Sequence, residues 1–168
     1  MRSEHATVVQ LRRGGFTFSK LRPYTAWEEV TAEALELWVR YAEVARPQRL
    51  TRLAVRYIND MTFPMAPAAR YLSAPPVVPS PIPPKIGEFF SRVVILDQES
   101  NTTAILVQAQ GPQPEPDRLR LLLDIDVFHQ GQVPMDRESC AARMQSLREL
   151  KNAIFFANIT EMAKKQFL

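Results

Sequence analysis

Eight of the chain's 14 prolines fall between Pro64 and Pro84. Proline has no backbone N–H and holds φ near one value, so it is excluded from helix interiors and from the middle of sheets. The run Pro75-Pro76-Val77-Val78-Pro79-Ser80-Pro81-Ile82-Pro83-Pro84 can therefore be neither helix nor interior strand. It predicts an extended, polyproline-II-like crossing over residues 64–85. Val77, Val78 and Ile82 are apolar, which places the crossing against the domain rather than out in solvent. A docking segment for an SH3-like partner is the weaker reading, because Lys85 is the one basic anchor nearby. The crossing divides the chain into two halves, each of which must supply its own secondary structure.

The first half reads as two strands, a helix and a strand. Residues 6–20 alternate around Gly14-Gly15, the signature of a hairpin whose turn needs positive φ. Thr25 and Glu28 have capping-box spacing, and Trp27, Val30, Ala34, Leu37, Trp38, Tyr41 and Ala45 recur at three and four. That pattern predicts a helix ending near Ala45, ahead of Pro47. Residues 50–63 follow with period two: Leu53, Val55, Tyr57 and Met61 share one face, and Arg52, Arg56 and Ile58 the other.

The second half reads as three strands, 88–98, 102–110 and 118–128, and then one long helix. Asn101-Thr102 is the turn between the first two strands. Asp136 is the helix cap, with Glu138 near the positive end. Apolar residues from Met144 to Phe167 predict that the helix continues to about Gln166, about 45 Å at 1.5 Å per residue. The connections are short, so neighbours should be antiparallel. The expected architecture is α+β. A curved antiparallel sheet of about six strands is packed on one face by two helices, and the sheet grips the long C-terminal helix. Residues 1–168 are read as a single domain.

Charge and cysteine content exclude several classes. Twenty-one Lys+Arg against 18 Asp+Glu leave +3, spread without blocks of one sign. There is no electrostatic footprint for a nucleic acid or an anionic membrane. No apolar run is long enough to span a bilayer. One cysteine, Cys140, cannot form an internal disulfide, and no signal-peptide pattern opens the chain. The expectation is a cytoplasmic protein with no cofactor. None of the five glycines forms a phosphate loop.

Leu121-Leu122-Leu123-Asp124-Ile125-Asp126-Val127-Phe128 is the segment most suggestive of chemistry. A strand ending in Asp-x-Asp supports phosphotransferases that also need a parallel α/β domain, and only one helix follows here. Two carboxylates on one strand face could hold a divalent cation. No third acidic residue has suitable spacing, so no metal ligand is assigned. The favoured reading is an ion-pair network: Arg52 and Arg56 share a strand face and can meet Asp124 and Asp126 across the sheet. Lys151 is the fifth member of this candidate cluster, either reaching the two carboxylates or packing its stem at the edge of the helix stripe. His129 is read as a surface residue at a strand end. Cys140 lies in the first turn of the last helix, where packing is a commoner role than catalysis. No catalytic residue is assigned.

The segments Arg56-Tyr57-Ile58-Asn59, Asp124-Ile125-Asp126-Val127-Phe128 and Lys151-Asn152-Ala153-Ile154-Phe155-Phe156 resemble, in that order, a sporadically distributed family of uncharacterised bacterial proteins. An aromatic hairpin, the helix start Tyr24-Thr25-Ala26-Trp27-Glu28 and the Pro-rich crossing fit the same order. The resemblance covers nearly the whole chain. It implies no catalytic residue. It also implies a strand-and-helix segment ahead of the hairpin, which this chain does not carry. Either the start of the chain is misplaced or this member is natively short. If it is short, a sheet edge or core face normally covered would be bare, and sheets seldom leave such edges open.

Three functions are consistent with the residues. The first is a non-catalytic binding or protein-interaction domain, working as a homodimer or with a protein partner through an exposed sheet edge. The second is a small-molecule binder with a pocket between sheet and C-terminal helix, lined by Trp27, Trp38, Tyr41, Phe155 and Phe156. The third is a metal-assisted or phosphoester enzyme using Asp124 and Asp126.

Overall fold

A computed structural model of the chain describes residues 7–12, 14–21, 26–82, 86–112 and 115–166. The element order is β1 (Thr7–Arg12), β2 (Gly15–Lys20), α1 (Trp27–Ala45), β3 (Leu50–Pro64), a 3-10 turn (Ala68–Arg70), β4 (Phe89–Asp97), β5 (Thr102–Gln110), β6 (Arg118–Val133), α2 (Arg137–Asn158) and α3 (Glu161–Lys164). The class is α+β, with six antiparallel strands among the described residues and the C-terminal helix packed on a sheet. The six strands fall in two sheets, a β1-β2 hairpin and a four-stranded sheet in the order β3-β6-β5-β4. The chain gathers into two compact units. One holds the described residues up to Thr51 with Gln132–Arg143, the other Arg52–Gly131 with the described residues from Met144 onward.

In the first unit, Arg12 pairs with Gly15, so the hairpin loop falls one position earlier than Gly14-Gly15. Arg13 lies outside the described residues, as does Thr25 of the expected capping box. Ala26 takes the cap position of α1, in extended conformation and without a side-chain bond. The helix ends where the glycine-free sequence forces Arg46 into the left-handed region, φ 46°. Aromatic packing joins α1 to the hairpin: Phe16 lies 6.2 Å from Trp38 and 5.8 Å from Tyr41 between ring centres. The Tyr41 hydroxyl donates to the Arg12 carbonyl at 2.9 Å, and Lys20 pairs with Glu33 at 3.2 Å. Asp136 caps α2 as expected, accepting from the Ser139 N–H at 2.8 Å.

In the second unit, the alternation of β5 and β6 builds the core. Ala104, Leu106 and Gln108 stand opposite Val127, Ile125 and Leu123, and all six are buried. Leu147 and Ile154 of α2 are buried as well. Gln108 donates to the Asn158 side chain at 3.0 Å, and the Lys151 ammonium lies 3.7 Å above the Tyr57 ring centre. These contacts seat the helix on the face of the sheet that carries Tyr57, Gln108 and Ile125.

The C-terminal helix does not run unbroken to Gln166. It stops at Asn158, and Ile159 forms an isolated bridge with Leu72. The break is made by the segment entering the Pro-rich crossing. Ser73 N–H donates to the Asn158 carbonyl, Thr160 N–H donates to the Tyr71 carbonyl, and the Thr160 hydroxyl donates to the Arg70 carbonyl. Thr160 then caps α3 by accepting from Ala163 N–H. These bonds take backbone groups that a continuous helix would use internally. Within the crossing, residues 75–79 have no regular secondary structure and Ser80-Pro81 is cis. Residues 83–85 lie outside the described set.

Candidate functional site

The sheet face opposite α2 carries the Asp-x-Asp motif. The strand register aligns four rows on it: Leu122, Ala109 and Phe90; Asp124, Val107 and Arg92; Asp126, Ile105 and Val94; Phe128, Thr103 and Leu96. β3 adds its arginines at one side of this face. Arg56 grips Asp124 with two parallel bonds, Nε to Oδ1 at 2.9 Å and Nη2 to Oδ2 at 2.5 Å. Arg52 reaches Asp126 at 3.1 Å and lies 4.3 Å above the Phe128 ring centre. Arg120 and Asp60 form a second two-bond pair, both bonds 2.8 Å. The bond to Asp124 pushes the Arg56 guanidinium above its already high ordinary value.

The four-residue charge pattern read from the sequence is thus assembled, and Lys151 is not part of it. Lys151 sits on the helix side of the sheet, because Tyr57 and Arg56 are successive residues of β3 and point to opposite faces. Burial, aided by Arg148, lowers its ammonium from 10.5 to about 8. Among the described residues, no three His, Cys, Asp or Glu side chains converge as metal ligands would.

The aromatic residues read as pocket lining divide between the units. Trp27 is buried, and Trp38 and Tyr41 pack on Phe16 in the first unit. Phe155 and Phe156 meet edge to face in the second, with Phe156 exposed. An open concavity of about 410 Å³ lies instead on the Asp124 face, lined by residues including Phe90, Arg92, Ile105, Val107 and Leu122. The Cys140 thiol is buried, and burial together with Asp136 raises its pKa, which suits packing. His129 is buried rather than exposed, because β6 continues to Val133 and the ring donates from Nδ1 to the Ser100 carbonyl at 3.0 Å.

β4 is the feature sequence reasoning underweighted. Among the described residues it is an edge strand, bonded on one side to β5. Its Phe90 is 71% exposed and its Leu96 66%, and Val93, Val94 and Ile95 are exposed too. Phe90, Val94 and Leu96 lie on the Asp124 face, Val93 and Ile95 on the helix face, so apolar surface flanks the edge on both sides. The other edge, β3, is studded with Arg52, Arg56 and Asp60, the usual protection against strand addition. The signal for β4 was present as the run Val93-Val94-Ile95-Leu96 without alternation. Such a run suits a strand buried on both faces, and the fold leaves it uncovered.

No family model, curated protein or solved structure matches the chain. No helix among the described residues is long and apolar enough to cross a membrane.

Proposed function

We propose that the chain is a non-catalytic protein-interaction domain that receives a partner strand along β4. The observation that carries this reading is a nine-residue edge strand with exposed apolar side chains on both faces. Main-chain bonds to an incoming strand would give affinity, and pockets for alternate side chains would give specificity. Two further features support it. The carboxylates of the Asp-x-Asp strand are held by arginines, so they do not stand ready for acid–base work. The concavity beside Phe90 and Arg92 adjoins the same edge and would take a side chain of the incoming strand.

A photo-crosslinking amino acid placed at Leu96 in living cells tests the reading. The control position is Val44, 86% exposed on α1. Discrete protein adducts are expected from position 96 and none from position 44. Absence of adducts at 96, with the protein folded, removes the proposal.

A further inference from the structure

We infer that the strand received by β4 belongs to a different protein and carries an acidic side chain opposite Arg92, with an apolar side chain two residues to either side of it. This rests on the docking reading above and names the chemistry of the partner. The argument is one of charge complementarity. On the Asp124 face the arginines of β3 are answered, Arg56 by Asp124 and Arg52 by Asp126. Arg92 shares a row with Asp124, but Val107 stands between them. Two strand spacings put their backbones about 9.5 Å apart. Arg92 is exposed, and its guanidinium has no hydrogen-bond or ion-pair partner among the described residues. A strand added at the edge brings a carboxylate directly opposite it, and such opposite-charge pairs stabilise strand pairing. The neighbouring rows fix the flanks. Phe90 and Val94 stand two residues to either side of Arg92 on the same face, both exposed, and directly opposed apolar side chains would cover them. The pattern is symmetric about Arg92, so it holds for either direction of the incoming strand.

The chain's own described strands supply no such partner. Their acidic residues are Asp60, Asp97, Asp124 and Asp126. Each is already engaged. Arg120 holds Asp60 with two bonds, Arg56 holds Asp124 with two, and Arg52 holds Asp126. Asp97 accepts from the Ser100 hydroxyl and from the backbone N–H groups of Glu99 and Ser100. A second copy of β4 fails for a further reason. Antiparallel pairing about a two-fold axis keeps each side chain on its own face of the sheet. Arg92 can therefore stand opposite Phe90, Arg92, Val94 or Leu96 of the copy, and none of these is acidic. Asp97, the acidic residue of β4, points to the other face. Self-pairing within β4 leaves both arginines unmatched or sets them against each other.

Peptides as long as β4, nine residues, test the assignment by fluorescence anisotropy against the full chain. Their sequence is Thr-Thr-Val-Thr-Xaa-Thr-Val-Thr-Thr, with Glu, Gln or Lys at the centre. The wild type should bind the Glu peptide about threefold tighter than the Gln peptide and about tenfold tighter than the Lys peptide. Arg92→Glu should reverse the order, and Arg92→Gln should level it. Both variants change an exposed side chain and should keep the fold. Val44→Glu, a charge placed on α1, should leave the wild-type order unchanged. Mass spectrometry of the adduct formed from position 96 reads the natural strand. The crosslinked peptide should come from another protein and hold an acidic residue with apolar residues two positions to either side. Equal binding of the three peptides by the wild type, binding of none, or an order that Arg92→Glu leaves in place overturns the acidic strand. So does an adduct whose peptide lacks the pattern or comes from this chain. In each of those cases, adducts at 96 leave the docking reading standing. Absence of adducts at 96 removes both.

Discussion

Replacing Lys151 with Met should stabilise the protein at neutral pH, and the gain should disappear in alkali. Lys151 is 8% exposed and packs its ammonium on Tyr57 between α2 and β3. Burial lowers its pKa from 10.5 to about 8. At about 1.4 kcal/mol per unit, the protonated form is disfavoured in the fold by roughly 3.5 kcal/mol at most. The cation lying over the Tyr57 ring returns about 1 kcal/mol of that. Methionine keeps the unbranched shape without the charge, so the net gain at pH 7 should be about 1–2 kcal/mol. The pH dependence has a definite sign. The unfolded chain keeps the proton up to 10.5, whereas the folded chain releases it from about 8. Between those values the unfolded state binds more protons, so wild-type stability from this group rises with pH across that window. Below about 8 the full penalty is present. Urea unfolding of both proteins from about pH 7 to about pH 10.5 isolates the effect, because every other titrating group cancels in the difference. A variant less stable than wild type at pH 7, or a difference that stays flat over the window, would refute the reasoning.

Three other experiments test other parts of the structure. A double-mutant cycle on Arg56→Ala and Asp124→Asn should show a coupling of about 1–2 kcal/mol, since the two-bond grip holds a carboxylate that is largely buried; a coupling near zero by chemical denaturation contradicts the geometry. Thr160→Ala should cost about 1–2 kcal/mol by removing both the α3 cap and the bond to Arg70, with Thr160→Ser close to neutral in the same melts. Gly131→Ala should cost about 1–3 kcal/mol, because Gly131 has φ +142° and an added Cβ would lie 3.1 Å from His129 Nε2; an unchanged thermal midpoint would show that the strand end relaxes freely.

Much of the local order was legible because side-chain period reports on burial without reference to partners. Leu121, Leu123, Ile125 and Val127 alternate with the Asp124 and Asp126 that period two set on one strand face, and all four are buried. The same period placed Arg52 and Arg56 together and Asp124 and Asp126 together, and complementary charge made their pairing across strands legible before any strand order was known. The cap at Asp136 and the helix end near Ala45 were likewise readable, since short-range backbone groups decide them.

The remainder depended on contacts far apart in sequence. The division of six strands into two sheets follows from which edges find partners, and no strand's own pattern encodes that. The stop at Asn158 comes from backbone bonds offered by residues 70–73, some 85 positions earlier, so apolar spacing along the helix could not reveal it. Lys151 lies on the far side of the sheet from the aspartates because the docking of α2 sets its direction. Composition and period by themselves determined the α+β class, which side chains of a strand share a face, and the arginine–aspartate pairs. The tertiary structure alone decided that Phe89–Asp97 is an edge. An apolar strand has the same sequence whether a neighbour covers it or not, and only strand order says which.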